Sequence, residues 1–175
     1  TVEGGLVTTN NEEIAKKVEI GRNYGHHGDY NCEMFGLSAR MSELHAALGL
    51  NLLPYTTSNI ERRNEIAKKY REGLGKLPGI RFQKITAKSL SAYKDFAILI
   101  DENKFGLHRD QLAVCLEKEN IMTRKYFYPP IHMQDCYPEL KASKEGLPNT
   151  SLIAHNILCL PMFSSLTDEQ VSRII

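Results

Sequence analysis

The sequence has no large excess of positive or negative charge, and it has no long apolar run. Its 22 Lys and Arg residues and 21 Asp and Glu residues give a net charge of +1 over 175 residues. Without a concentrated basic face, the composition gives no support for a nucleic-acid partner or an anionic membrane partner. Apolar runs such as residues 96–100 are far shorter than the roughly 20 residues that span a bilayer. With no signal-peptide pattern at the start, we expect a cytoplasmic protein without membrane contacts.

The sequence also lacks closely spaced cysteines. The four that it contains are scattered and form no Cys-x-x-Cys pair: Cys32, Cys115, Cys136 and Cys159. That spacing predicts neither a disulfide framework nor a zinc site, and it fits a reduced compartment. His26 and His27 lie close to Cys32, but neighbouring histidines point in different directions and no second ligand cluster has suitable spacing. We therefore predict no metal site.

Helix and strand signals organise the first 57 residues. Residues 6–9 are β-rich and predict a short strand. An asparagine just after them can cap a helix that ends near Gly21, and a second helix is expected from about Ser42 until Pro54 stops it. Residues 22–36, between the two helices, are rich in Gly, Asn, His and Tyr without periodicity. A stretch of that length in a compact protein is more often functional than idle.

The pattern changes near residues 54–60, where we expect a boundary between domains 1–57 and 58–175. A capping box at Ser58 predicts the start of a charged helix. Strands and helices then alternate, and the expected ranges are strands 80–82, 92–100 and 121–127 and helices 109–119 and from 167 onward. Cys115 is expected on the apolar side of its helix. This order predicts a small α/β layer with helices on one face of a largely antiparallel sheet.

Two short segments carry side chains suited to binding. Ser38 and Arg40 place a hydroxyl and a guanidinium where a polar loop enters a helix, and such a pair can donate to phosphate or carboxylate oxygens. Alternatively, Ser38 caps local backbone and Arg40 is a surface ion-pair partner. Tyr126, Tyr128 and His132 flank two prolines, whose extended backbone holds side chains in place. The alternative is that these aromatic rings pack against the other domain.

Several motifs together resemble the DegT/DnrJ/StrS family of sugar aminotransferases. They are Glu3-Gly4-Gly5, the run Gly-x-x-x-Arg-Met-Ser-Glu-Leu-x-Ala-Ala-Leu-Gly over residues 36–49, Arg62-Arg63-x-x-Ile66-Ala67-x-x-Tyr70, Tyr126-x-Tyr128-Pro129-Pro130-Ile131-His132, Leu147-Pro148-Asn149 and Leu158-Cys159-Leu160-Pro161. They follow the family's order and spacing and extend over essentially the whole chain. The resemblance implies an α/β chain that is the C-terminal part of a fold-type-I transferase, with the end of the large domain followed by the small domain.

The same resemblance implies a pyridoxal-phosphate-dependent enzyme of amino-sugar biosynthesis. The lysine that would form the Schiff base falls shortly ahead of Thr1, so no residue of this chain is expected to be catalytic and the fragment alone is expected to be inactive. The intact enzyme would be a homodimer with shared active sites. It would transfer an amino group, from glutamate, to a nucleotide-linked ketosugar.

The resemblance also implies roles for the candidate site residues. In the family's Gly-x-Asn-x-Arg-Met motif, the Asn reaches across the dimer to the partner's cofactor phosphate. Ser38 stands at that position here, and its shorter hydroxyl offers one hydrogen bond, directly or through a water. We take Ser38 and Arg40 as cofactor-binding candidates, and Arg40 is the better candidate because it matches the family motif. Tyr126, Tyr128 and His132 are the candidates for binding the sugar nucleotide.

Other interpretations remain open at this stage. Some family members carry histidine in place of the lysine and act as pyridoxamine-dependent sugar dehydratases, and only the residue ahead of Thr1 separates the two. A non-catalytic dimerisation or binding module is a second alternative. A small RNA-binding α/β domain would need a basic sheet face with exposed aromatics, which the near-neutral charge argues against.

Overall fold

The computed structural model describes residues 3–141 and 146–175. The chain divides into two compact units, Thr1–Thr56 and Thr57–Ile175. Thr1 itself, ahead of which the Schiff-base lysine is expected, lies outside the described residues. No helix within the described ranges is long and apolar enough to cross a lipid bilayer.

The first unit contains two capped helices, α1 (Glu12–Arg22) and α2 (Glu43–Leu52). The side chain of Asn11 accepts a hydrogen bond from the backbone N–H of Ile14 at 3.1 Å, which confirms the asparagine cap. Ser42 caps α2 in the same way. The strand expected at residues 6–9 is wrong: this segment has no regular structure, because no strand in the described part of the chain lies beside it.

The passage from α2 to the next helix differs from the prediction. Pro54 does stop α2, and it lies in the 3-10 turn Leu53–Tyr55. The turn then leads directly into α3 (Thr56–Leu74). The backbone is already helical at Thr56, so Ser58 is an internal residue of α3 and not its N-cap, and the predicted capping box is wrong.

The second unit is built on a three-stranded antiparallel sheet. Its strands are β1 (Ile80–Phe82), β2 (Phe96–Ile100) and β3 (Ile157–Leu160), in the order β1-β2-β3. The remaining helices are α4 (Glu102–Phe105), α5 (Arg109–Lys118), α6 (Pro138–Lys141), α7 (Pro148–Asn156) and α8 (Asp168–Ile174). The antiparallel sheet and the helix from 109 are confirmed. Thr167 caps α8 with a capping box, at the residue where this helix was predicted to begin.

The core of this unit lies where α3 and α8 pack on the central strand β2. Alternate residues of β2 are buried, as expected when one face of a strand is covered by helices. Buried residues of α3, β2, β3 and α8, together with Leu166, form one cluster: Ile66, Ala67, Tyr70, Leu74, Phe96, Ile98, Ile100, Leu158, Leu160, Leu166 and Val171. These contacts hold the sheet together. The segment 126–132 follows Arg124, which pairs with Cys159 of that sheet.

Three expectations for this unit are wrong in detail. The strand predicted over residues 92–100 begins only at Phe96, where pairing with Leu160 starts. Residues 121–127 do not form a strand, because only Arg124 approaches β3 closely enough to exchange backbone hydrogen bonds, with Cys159. Cys115 is exposed, because α5 packs on the core through Leu112 and its neighbours rather than through the thiol.

The Tyr70 hydroxyl supplies a testable polar contact within this core. It donates to the carbonyl oxygen of Pro161 at 2.9 Å, and the ring is fully buried. Tyr70→Phe should lower the free energy of unfolding by about 1 kcal/mol, because the acceptor loses its partner. Urea denaturation at pH 7 measures this, with Tyr137→Phe, at a residue 40% exposed, as the control. Equal losses in the two variants would contradict the assigned role.

The same residue gives a pH dependence. Burial raises the pKa of the Tyr70 phenol well above its ordinary value. The folded state therefore holds this proton more tightly than the unfolded state. Its contribution to stability is present below the unfolded pKa of about 10 and is lost as the pH rises from there through the folded pKa. Tyr70→Phe should accordingly reduce the alkaline loss of stability.

Candidate functional site

The candidate site of the first unit is formed by two backbone segments, residues 21–25 and 33–39. The first segment is the end of α1 and the residues that follow it, and the second segment precedes α2. Five backbone hydrogen bonds join them: Leu37 N to Gly21 O at 2.7 Å, Ala39 N to Arg22 O at 3.0 Å, Tyr24 N to Leu37 O at 3.0 Å, and Glu33 N and Met34 N to Gly25 O at 2.8 and 3.4 Å. Because the backbone of both segments is engaged, the points from which their side chains leave the backbone are fixed.

Two glycines allow the segments to cross. A Cβ on Gly25 would overlap the carbonyl oxygen of Met34, and a Cβ on Gly36 would overlap the backbone nitrogen of Gly25. Gly25 also has a φ of +87°, in the left-handed region that favours glycine. Any larger residue at either position would force the segments apart, so the Gly-rich composition of residues 22–36 has a structural reason.

The crossing brings Ser38 and Arg40 to the same aromatic side chain, Tyr24. The Ser38 hydroxyl donates to the Tyr24 hydroxyl at 2.8 Å, and an Arg40 Nη donates to the same oxygen at 3.5 Å. The guanidinium carbon of Arg40 lies 5.2 Å from the centre of the Tyr24 ring, within cation–π range. Tyr24 itself has a φ of +58°, an uncommon conformation for a residue with a side chain.

These contacts change the acidity of Tyr24. Hydrogen bonds from Ser38, and then from Arg40, lower the pKa of the phenol from its ordinary value because they favour its anionic form. Arg40 gives the cluster of Tyr24, Ser38 and Arg40, which we call the Tyr24 cluster, a positive charge. Its chemistry suits an anion such as a phosphate group.

A cavity opens beside the Tyr24 cluster. It is lined by Asn23, Tyr24, His26, Gly28, Tyr30, Cys32 and Arg40. The rings of Tyr24 and His26 are nearly parallel with centroids 6.1 Å apart, and the ring centroid of Tyr30 lies 5.5 Å from that of His26. Across the described ranges, no group of three or more His, Cys, Asp or Glu residues could hold a metal ion. The cavity thus pairs aromatic surface with anion-binding donors.

Sequence reasoning identified Ser38 and Arg40 but missed Tyr24. Tyr24 precedes Ser38 by 14 residues, and no local pattern links the two positions. The available signal was the density of Gly, His and Tyr in residues 22–36, which indicated a functional segment without identifying its members. Only the crossing at Gly25 and Gly36 brings the three side chains together.

The second group of candidates, Tyr126, Tyr128 and His132, lies along a segment that faces α7. Tyr126 lines a cavity together with α7 residues, including Thr150 and Ile153. Tyr128 makes an edge contact with His155 of α7 at 5.3 Å. All three candidates therefore lie against one helix, α7, although their contacts with it differ.

His132 is partly engaged in the fold. Its Nε2 lies 3.0 Å from the Ser151 hydroxyl of α7. Its Nδ1 is buried and, among the described residues, has no hydrogen-bond partner. The side chain is therefore held by α7 and retains one polar atom for a further contact.

Sequence reasoning also missed Arg109, which supports this segment. Arg109 is 2% exposed, and its guanidinium carbon lies 4.9 Å from the centre of the Tyr128 ring. Its Nη1 donates to the carbonyl oxygens of Ala154 and Ile157, at the C-terminal end of α7. A buried arginine thus connects α5, α7 and the candidate Tyr128. No sequence motif distinguished it from the chain's other arginines.

Comparison with solved structures identifies the fold. DesI, in a structure determined in the presence of its TDP-sugar product, superposes with a TM-score of 0.83 at 30% identity, covering 95% of this chain and 42% of that one. A DegT DnrJ EryC1 StrS aminotransferase from Brucella abortus gives a TM-score of 0.82 at 26% identity, covering 95% and 43%. The fold therefore defines a class: this α/β chain is the C-terminal part of a pyridoxal-phosphate-dependent aminotransferase fold.

The family follows from the sequence comparisons. The chain belongs to the DegT/DnrJ/EryC1/StrS aminotransferase family, whose model matches residues 1–175. It is 35% identical over 173 residues to dTDP-4-amino-4,6-dideoxy-D-glucose transaminase from Escherichia coli, covering 98% of this chain and 46% of that protein. It is 30% identical over 189 residues to the spore coat polysaccharide biosynthesis protein SpsC from Bacillus subtilis, covering 100% and 48%. The chain thus spans about half the length of these relatives.

Proposed function

We propose that the intact protein is a pyridoxal-phosphate-dependent aminotransferase of nucleotide-linked ketosugars, acting in amino-sugar biosynthesis. The observation that supports this most strongly is the Tyr24 cluster, whose hydrogen-bond donors suit a phosphate group, in a chain of this family. The names of the relatives support the substrate class, since the Escherichia coli protein is a dTDP-sugar transaminase. Bound pyridoxal phosphate would supply the electron sink for the transfer.

In this proposal the Tyr24 cluster holds the cofactor's phosphate. Arg40, one of the two cofactor-binding candidates, contributes a full positive charge and a forked set of donors, and Ser38, the other candidate, belongs to the cluster through its bond to Tyr24. No lysine lines the cavity beside them in the described part of the chain. In a homodimer, the cluster would complete the site of the partner subunit.

The segment 126–132 would hold the sugar nucleotide. Tyr126 and Tyr128 offer ring faces to a sugar or base, and His132 is the third candidate on the same segment, held against α7 through Ser151. The position of this segment against α7 would keep these groups still while the substrate binds.

We place residues 1–57 at the end of the large domain and residues 58–175 in the small domain. Glutamate would be the amino donor, and the protein would be cytoplasmic.

The test uses the protein at the length of its relatives, including the residues ahead of Thr1. We expect it to form an amino sugar from a dTDP-linked 3-keto or 4-keto 6-deoxysugar, dependent on both glutamate and pyridoxal phosphate. The 175-residue chain alone should give no product. Product formation is measured by mass spectrometry.

A variant links this activity to the Tyr24 cluster. Arg40→Met should reduce the pyridoxal phosphate retained after dialysis at least about ten-fold, because the site loses its charged donor. Arg81→Met, at an exposed residue of β1, is the control and should retain the wild-type amount. Dehydration of the sugar without glutamate, or loss of cofactor in both variants alike, would contradict the proposal.

A further inference from the structure

We propose that the Tyr24 hydroxyl, rather than Ser38, is the neutral donor that binds a phosphate oxygen beside Arg40, and that Ser38 is a positioning residue for Tyr24. The proposal rests on the proposed function only for the identity of the phosphate-bearing ligand. The site itself is defined by contacts within the first unit of this chain.

The first argument concerns the number of hydrogens available. A serine hydroxyl has one hydrogen, and that of Ser38 is donated to the Tyr24 hydroxyl at 2.8 Å. The Tyr24 oxygen accepts this bond and one from Arg40, while its own hydrogen has no acceptor within the described residues. Ser38 therefore has no hydrogen left for a phosphate, whereas Tyr24 has one.

The second argument is electrostatic. Hydrogen bonds that Tyr24 accepts from Ser38 and Arg40 draw electron density from its oxygen and lower the pKa of the phenol. A more acidic O–H is a stronger donor to an anion. Among the described residues, the Arg40 guanidinium donates only to Tyr24, through one Nη, so its remaining N–H groups are available to the same anion.

The third argument is rigidity. Tyr24 is fixed at both ends of its backbone: its N–H donates to Leu37 at 3.0 Å, and its carbonyl accepts from the thiol of Cys32 at 3.5 Å. Its left-handed φ of +58° is an unfavourable conformation that the surrounding hydrogen bonds maintain. A side chain held in this way is preorganised for binding, which reduces the entropy lost when a ligand arrives.

The cavity indicates the class of ligand. Arg40 and Tyr24 lie on its wall together with the aromatic rings of His26 and Tyr30. A phosphate ester that carries a planar ring fits this arrangement, with phosphate oxygens at Tyr24 and Arg40 and the ring beside the aromatic side chains. The anion-binding step alone can be tested with inorganic phosphate.

The experiment is a titration of the ¹⁵N-labelled 175-residue chain with inorganic phosphate at constant ionic strength. It follows the amide resonances of Gly25 and Ala39. In the wild-type chain we expect a saturable shift at both. Tyr24→Phe, which keeps the ring and removes the hydroxyl, should raise the dissociation constant about ten-fold. Ser38→Ala should raise it only about two- to three-fold, since Tyr24 keeps its own hydrogen.

Tyr137→Phe in the second unit is the matched control and should bind as the wild type does. Hydrogen exchange of the Leu37 amide checks that the crossing remains intact in each variant. A larger effect of Ser38→Ala than of Tyr24→Phe, in chains with a protected Leu37 amide, would overturn the proposal. So would a wild-type chain without a saturable shift. Because no step uses enzyme activity, failure here is distinguishable from failure of amino transfer in the intact protein.

Discussion

Replacing Phe96 with alanine is expected to lower the free energy of unfolding of the second unit by about 4 kcal/mol. Phe96 is the first residue of the central strand β2 and is 2% exposed. Three aromatic rings surround it, with centroids at 5.0 Å for Tyr70 and 5.9 Å for Phe82 and Tyr93. Removing the ring would leave a cavity among side chains that two strands and a helix hold in place, and little collapse can fill it.

Urea denaturation of the full chain, followed by far-ultraviolet circular dichroism, measures this effect. The matched control is Phe127→Ala, because Phe127 is 72% exposed and contributes little to the core. Its cost should be below about 1 kcal/mol. If Phe96→Ala cost no more than Phe127→Ala, the aromatic cluster around β2 would not be the centre of this core.

The second large effect concerns Arg109. The carbonyls of Ala154 and Ile157, which accept from Arg109 at 2.6 and 3.1 Å, belong to the end of α7, where helical hydrogen bonding stops. A positive charge there also complements the helix dipole. Arg109→Met keeps much of the side-chain volume but leaves these acceptors unpaired. We expect it to lower the free energy of unfolding by about 3 kcal/mol.

The matched control is Arg81→Met, the same replacement at an exposed residue of β1, which should cost less than about 0.5 kcal/mol. Under the function proposed above, Arg109→Met should also weaken binding of the sugar nucleotide by the intact protein, because Arg109 packs on the Tyr128 ring. Both variants are compared by urea denaturation. Similar losses at the two positions would show that the bonds to α7 contribute nothing particular to stability.

Local sequence signals predicted the elements whose ends depend on nearby residues. The starts of α1, α2 and α8 were predicted from nearby residues, and in each of these helices a cap side chain accepts from an N–H three residues later, which leaves a short-range pattern. Ser58 matched the same pattern and was wrong. The preceding turn is already helical, so the chain needs no new cap there, and that fact is not visible in the four-residue motif.

Strand predictions failed for a different reason. Residues 6–9 and 121–127 have strand-like composition, but a strand forms only when a neighbour satisfies its backbone groups. Arg124 finds such a partner in Cys159, and the residues around it do not. The exposure of Cys115 likewise depends on how α5 is rotated against the core, which its weak apolar pattern leaves open.

The sequence by itself determined the family and the antiparallel α/β architecture of the second unit, and it marked Ser38 and Arg40 as candidates, because these follow from ordered motifs and short-range periodicity. The tertiary structure alone decided that Tyr24 joins Ser38 and Arg40 and that Arg109 supports Tyr128. The physical reason is the same in both cases. Each contact joins residues 14 or more positions apart, and only the crossing of backbone segments or the packing of one helix end on another brings them within hydrogen-bond distance.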